Sequence, residues 1–433
     1  MCVSYWQEFV DDSRRILLLQ GPIGSYFFQL SQFLQKQGKA VFKLNFNGGD
    51  ILYYPSDGLT HIYNDRVENF SEYLTAFIQE NNIDAVVCFG HKRTYHDIAK
   101  KVCKNLGDKV DYWSFEEGYL RPYYITFEKW GVNNASILPR SAEFYLDHKV
   151  KLPSLRSPRP LVSSFWVRFW LAMHYYMAMY FCRKELRHYI HHREYKVIKY
   201  MGAWAISGWR KWVYKPKEYL LTKNIESNEF PSFFIVPLQV HNDSQVRSFG
   251  GTKNVPTFIK KVLRSFAKGA DQGDHIILKH HPMDRGFNHY GELIQKLSKK
   301  YGIEDRVHYV FDIPMPVFLR KAKGMVVINS TSGLSALLHN LPVKVLGKAP
   351  YDFEGLTDAQ SLTHFWRNPQ RPDPIVFNAY RTYLLYKTQL NANFYISNLH
   401  EDFVQCALSY KKIDVILEKE ERVSYEVVME TSS

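Results

Sequence analysis

Val110-Asp-Tyr-Trp-Ser-Phe-Glu-Glu-Gly-Tyr-Leu-Arg121 decides how this chain is read. Val110–Phe115 has the aromatic and apolar character of a strand, and two carboxylates, Glu116 and Glu117, follow it directly. In α/β sheets the carboxyl ends of strands present functional groups to a cleft. Gly118 lets the backbone turn sharply behind the acids, and Arg121 follows a few residues on. A carboxylate aimed into a cleft can act as a nucleophile or a general base.

The flanking sequence places this strand in an α/β sheet. Arg15–Gln20 reads as a short buried strand, followed by Gly21-Pro22-Ile23-Gly24 and a helix through Leu34. That strand–glycine loop–helix order resembles the first unit of a doubly wound fold, although the loop is not a full G-x-G-x-x-G. Val41–Asn45 and Ala85–Phe89 read as further strands, with Asn47-Gly48-Gly49-Asp50 as a loop on the same edge. A second run follows: strands at Phe233–Leu238, His275–Lys279, Val307–Val310, Met325–Ile328 and Lys344–Leu346, with helices at Pro256–Ala267 and Ser330–Asn340. Strands alternating with helices imply parallel sheets. The organisation expected is a unit at 1–150, an insertion at 151–230, a second unit at 231–355, and a helical segment with a charged tail at 356–433.

The second unit carries a different chemistry. Lys279-His280-His281-Pro282 closes one strand, and Asn329-Ser330-Thr331-Ser332-Gly333 joins another strand to a helix. Hydroxyls and N–H groups at a helix start suit an anion, while ordinary capping by Ser or Thr is the competing reading. The nearby Lys and two His favour the anion. Gln239, Asp243, Ser244 and Gln245 fill the loop after the first strand of this unit, another position where such sheets bind ligands. Adjacent His side chains on a strand point to opposite faces, so His280 and His281 cannot share one metal ion. There is no D-x-D to hold a metal on a diphosphate. A donor with a single phosphate needs no such clamp, which points to a CMP-activated substrate over UDP- or GDP-activated ones. An acid in one half and a phosphate site in the other imply group transfer across a cleft.

Charge is concentrated in one place. The chain carries a formal +13, and Lys151–Lys217 alone has 14 Lys/Arg against two acids, Glu185 and Glu194. The rest is nearly neutral, so the basicity does not describe a nucleic-acid-binding surface. Leu161–Cys182 is apolar and aromatic, but only the 14 residues Phe169–Cys182 lack a formal charge, short of the ~20 that cross a bilayer. A helical insertion with an aromatic face and a basic face is expected to lie on an anionic membrane surface through Arg168, Arg183, Lys184, Arg187 and Lys211. Two helices packed on the core with solvated Lys and Arg form the alternative. Five scattered Cys with no CxxC, and a start without the basic and apolar regions of a signal peptide, lead us to expect a cytoplasmic protein with free thiols.

Five motifs in order, Phe115–Pro122, Gly131–Ser136, Pro237–Gln245, Lys279–Gly286 and Asn329–Ala336, resemble those of the capsular polysaccharide β-Kdo transferases, closest to the single-module, KpsS-type branch. The resemblance covers about Arg15 to Asp352. It implies a GT-B-like architecture of two Rossmann-type domains facing a cleft; no cofactor is expected and, from the residues above, no metal. It implies CMP-β-Kdo as donor, retention of configuration, and a phosphatidylglycerol or lyso-phosphatidylglycerol acceptor on the inner leaflet of a Gram-negative inner membrane. As further partners it implies the next Kdo transferase and the capsule export machinery. The family commonly has Asp where this chain has Glu117, so the choice between Glu116 and Glu117 as nucleophile stays open. Two other readings fit parts of the sequence. One is a CDP-glycerol-type glycerophosphotransferase, which would use a His as base. The other is a non-catalytic export component that binds lipid-linked polysaccharide.

Overall fold

The computed structural model describes residues 3–121, 123–149, 152, 157–161, 163–191, 197–240 and 254–396. The first unit runs α1 (Tyr5–Asp12), β1 (Arg15–Leu18), α2 (Tyr26–Lys36), β2 (Ala40–Asn45), α3 (Gly48–Tyr53), β3 (Thr60–Ile62), α4 (Phe70–Glu80), β4 (Ala85–Phe89), α5 (Thr94–Asn105), β5 (Asp111–Glu117), β6 (Ile125–Lys129) and α6 (Ala142–Lys149). Helices α7 (Phe165–Phe181) and α8 (Val197–Glu226) follow. The second unit runs β7 (Phe233–Pro237), α9 (Val255–Gly269), β8 (His275–Lys279), α10 (Gly291–Tyr301), β9 (Val307–Val310), α11 (Met315–Leu319), β10 (Gly324–Val327), α12 (Ser332–Leu338), β11 (Val343–Val345) and α13 (Leu362–Arg367). Helix α14 (Pro374–Thr388) and β12 (Gln389–Leu390) close the described chain.

Both sheets are wound the same way. The first has the order β12-β6-β5-β4-β1-β2-β3 and the second β11-β10-β7-β8-β9. Five strands of the first sheet are parallel in the order β3-β2-β1-β4-β5, and all five of the second repeat that order as β9-β8-β7-β10-β11. The order reverses between β1 and β4 in one sheet and between β7 and β10 in the other. Open α/β sheets open a crevice at that point, outside the carboxyl ends of the strands. The chain is thus α/β and GT-B-like, with two Rossmann-type sheets.

Strand composition follows from burial on both faces. In β1, Ile16 and Leu18 join one apolar cluster while Leu17 joins the opposite one. In β7, Phe233 and Ile235 face one cluster, Phe234 and Val236 another. The cluster holding Ile16 also holds Phe233 and Ile235, so one core spans both units. Helix α14 contributes Val376, Tyr380 and Leu384 to that same cluster. Beyond it β12 pairs antiparallel with β6, Gln389 against Thr126. Within the stretch after 356, Gln389 and Leu390 thus return to the edge of the first sheet.

Two local expectations change. Gly48–Tyr53 is a helix and not a loop, with the Asn47 side chain accepting from the Gly49 and Asp50 N–H groups. Both acids of the opening motif lie inside β5, paired with Thr126 and Ile125 of β6, and do not follow the strand. Gly118 has no left-handed backbone. Its missing side chain instead leaves room for the Tyr124 carbonyl.

Candidate active site

The acids are held rigidly because β6 pairs with β5 through their own positions. The Thr126 hydroxyl donates to the Glu117 carbonyl at 3.2 Å. Side chains alternate along a strand, and here they part. Glu117 lines a pocket with Arg121, Tyr124, Ile125, Ser163, Arg168 and Tyr395. The Tyr395 hydroxyl donates to Glu117 Oε1 at 3.3 Å. Glu116 turns toward the β4 end, flanking Gly90 together with Arg93, and its Oε1 accepts from the Glu117 N–H at 3.2 Å. Burial raises the Glu116 carboxyl above the usual range, against the pull of Arg93 and Arg121.

The switch point of the first sheet is closed by α7. Asp50 is buried and accepts from Gln20 Nε2 at 3.2 Å, Asn47 Nδ2 at 3.2 Å and the Tyr175 hydroxyl of α7 at 2.8 Å. Gly48 leaves room for the Ala178 carbonyl and Cys182 of α7, and Gly49 for the Tyr175 ring. The sequence reading missed this docking. Two glycines on a helix are its only trace, because they permit close helix contact.

In the second sheet, the sequence-predicted residues converge on one end. Gln239 Nε2 donates to Asn329 Oδ1 at 2.9 Å, tying the ends of β7 and β10 together across the switch point. The Ser330 hydroxyl accepts from the Ser332 N–H at 3.2 Å. Tyr351 donates to the Ser330 carbonyl beside buried Gly333. Thr331 is half-buried at the start of α12. His281 Nδ1 accepts from the Met283 N–H at 3.2 Å, which leaves Nε2–H of the neutral ring as a donor. Burial lowers the His281 pKa, and the positive charges of Lys279 and Arg121 lower it further. His280 is buried with Nδ1 at 2.7 Å from the Tyr309 hydroxyl, and burial lowers it to about 4. Lys279 is buried too, donating to the Phe311 carbonyl at 3.1 Å, with burial lowering its pKa. Pro282 is exposed. Asp243, Ser244 and Gln245 lie outside the described residues.

The basic segment divides between the units. Arg168 reaches the Glu117 pocket, while Arg183, Lys184 and Arg187 are exposed near the far end of α7. Lys211 falls in α8, its side chain outside the described residues. Helix α8 docks on the second sheet. Glu218 accepts from the Asp312 N–H at 2.8 Å, Tyr214 stacks on Phe311 at 4.0 Å, and Arg210 donates to the Arg285 carbonyl. Among the described residues no helix is long and apolar enough to cross a membrane.

A family described as "Capsule polysaccharide biosynthesis protein" matches residues 84–395, which carry both strand-end clusters. The chain belongs to that family. It is 45% identical over 393 residues to the capsule polysaccharide modification protein LipB of Neisseria meningitidis, covering 90% of this chain and 93% of LipB. It is 39% identical over 384 residues to the capsule polysaccharide export protein KpsS of Escherichia coli, covering 88% of this chain and 97% of KpsS. Among solved structures, the KpsC β-Kdo 2,7 transferase of Thermosulfurimonas dismutans aligns over 90% of this chain and 99% of its own, with a TM-score of 0.39 and 13% identity.

Proposed function

We propose that this family member is a retaining glycosyltransferase that moves Kdo from CMP-β-Kdo to a phosphatidylglycerol or lyso-phosphatidylglycerol acceptor, priming the lipid end of a capsular polysaccharide. The observation that supports the reading is the pairing of opposed chemistries: a carboxylate pocket at the end of β5 and a His- and hydroxyl-lined switch point in the second sheet. The relatives' names, modification and export of capsule polysaccharide, support the same biological setting.

Retention from a β donor follows from two displacements. Glu117 attacks the anomeric carbon, the carbon–oxygen bond to phosphate breaks, and CMP leaves with its electron pair. His281 Nε2–H and the Ser330–Ser332 hydroxyls donate to that phosphate. The acceptor hydroxyl then attacks the same carbon, the ester to Glu117 breaks, and the hydroxyl proton passes to the waiting CMP phosphate. Arg121 balances the Kdo carboxylate, which neighbours the reacting carbon. Burial pushes the Glu116 carboxyl up, which disfavours a second negative charge beside an anionic sugar. The exposed aromatic and basic surface of α7 brings the protein to the inner leaflet. Purified protein, CMP-Kdo and a fluorescent phosphatidylglycerol should yield a lipid heavier by one Kdo residue, with a β linkage. A heavier lipid carrying glycerol phosphate, or no product, would overturn the reading.

A further inference from the structure

Helix α7 is apolar on both sides; among the described residues one side is packed on α3 while the other carries large exposed side chains. Leu171, Tyr175, Ala178 and Cys182 make one stripe, packed on α3 and the loop at Gly24. At the complementary spacing stand Trp166, Trp170, Met173, Met177, Tyr180 and Phe181, with exposures of 39–71%. A helix that is apolar all round belongs in a core or at a membrane. Bulky aromatics flanked by Arg183, Lys184 and Arg187 are the residues that settle at a lipid interface.

Arg168 is three residues before Leu171, so it continues the inner stripe. It lines the Glu117 pocket while Trp166 and Trp170 face outward from the same turn of helix. Its guanidinium sits 5.9 Å from the Tyr395 ring centre and 3.5 Å from the Ser163 carbonyl. Tyr395 in turn donates to Glu117. One helix turn therefore links a membrane-suited stripe to a cation beside the acid. Resting on the transfer reading above, we propose that Arg168 holds the phosphodiester of an anionic glycerophospholipid whose acyl chains stay in the bilayer along the outer stripe of α7, placing its glycerol hydroxyl against Glu117. Arg121, on the other wall of the pocket, is left for the sugar carboxylate.

The test separates this subsite from the transfer reading because it uses no nucleotide sugar. Calorimetry would measure wild type, Arg168→Glu and Arg168→Lys with dispersed short-chain phosphatidylglycerol and with the matching phosphatidylcholine. Loss of a charge-assisted hydrogen bond predicts roughly tenfold weaker phosphatidylglycerol binding in Arg168→Glu, with partial rescue by Lys. Equal affinity in Arg168→Glu, or equal affinity of wild type for the neutral lipid, would overturn the subsite. Co-sedimentation with phosphatidylglycerol vesicles tests the stripe: Trp170→Glu combined with Phe181→Glu should leave most of the protein in the supernatant. Sedimentation at the wild-type level would show that a surface other than this stripe meets the bilayer, and would overturn that part. If both arms hold and no Kdo is transferred, the error lies in the donor assignment.

Discussion

The first sheet carries two carboxylates, Glu116 and Glu117, at the end of β5, whereas the second, wound in the same order, has Gln239, Lys279, His281 and Asn329 at or just past the ends of β7, β8 and β10. Both groups stand at the carboxyl ends of parallel strands, where open α/β sheets bind ligands, so the fold marks the edge and the side chains mark the chemistry it suits. Burial acts on the two with opposite sign. It raises the Glu116 carboxyl and lowers His280 and His281, so each site is drawn toward neutral groups. The insertion divides the same way: α7 is pinned to the first unit through Tyr175 and Asp50, and α8 to the second through Glu218 and Tyr214.

The contrast breaks most visibly at Glu117. Glu117→Gln should lower turnover by roughly 10³-fold or more, the scale seen when a covalent nucleophile is removed, and should still bind CMP. Glu116→Gln should cost much less. A reversed ranking in steady-state assays would move the nucleophile one residue back. Next in size is the docking of α7. Gly48→Val would push a side chain into the Ala178 carbonyl and should cost about 1–3 kcal/mol, visible as a lower melting temperature, whereas a matching melting temperature would mean α7 is loosely held. On the basic side, His281→Ala should weaken CMP binding about tenfold, the value of one hydrogen bond to a charged group. Unchanged calorimetric affinity would place the nucleotide elsewhere.

The smallest expected effect is a pH slope that tells the units apart. His280 and His308 of the second unit are held by burial at about 4, and His91 of the first at about 3, against 6.5 when unfolded. Below 6.5 the unfolded chain binds more protons, so stability should fall as pH drops toward 4. Glu128, buried near Tyr119 and raised by that burial to about 7, works the other way: between 4.5 and 7 the folded chain keeps a proton that the unfolded chain releases. Glu128→Gln should therefore steepen the acid loss of melting temperature by about one proton in slope. An unchanged slope would mean that Glu128 ionises normally.

Much of this arrangement is legible in the residues. The buried strands are apolar runs bounded by Gly, Pro or charge, and β4, β8 and β9 fall where the runs place them. Lys279, His281 and Asn329 were readable because they directly follow or end such runs. Asn47–Asp50 misleads because glycines disfavour helix, yet here they form one to admit α7, a tertiary contact overriding propensity. Tyr395 leaves no local signal, since its partner Glu117 is 278 residues away. Nor does the two-residue β12, which becomes a strand only against β6. In the apolar segment, composition separates a membrane span from a surface helix by length, but it cannot show that one face is already covered by α3.

The central claim is that Glu117 carries the sugar between two displacements. Protein mixed with CMP-Kdo alone, quenched in acid within the first turnover and digested, gives peptides whose masses report any covalent sugar. The account predicts one Kdo residue on the peptide containing Glu117, fragmenting to that side chain and absent from Glu117→Gln. A sugar on Glu116, or CMP release with no modified peptide at any quench time, would contradict it.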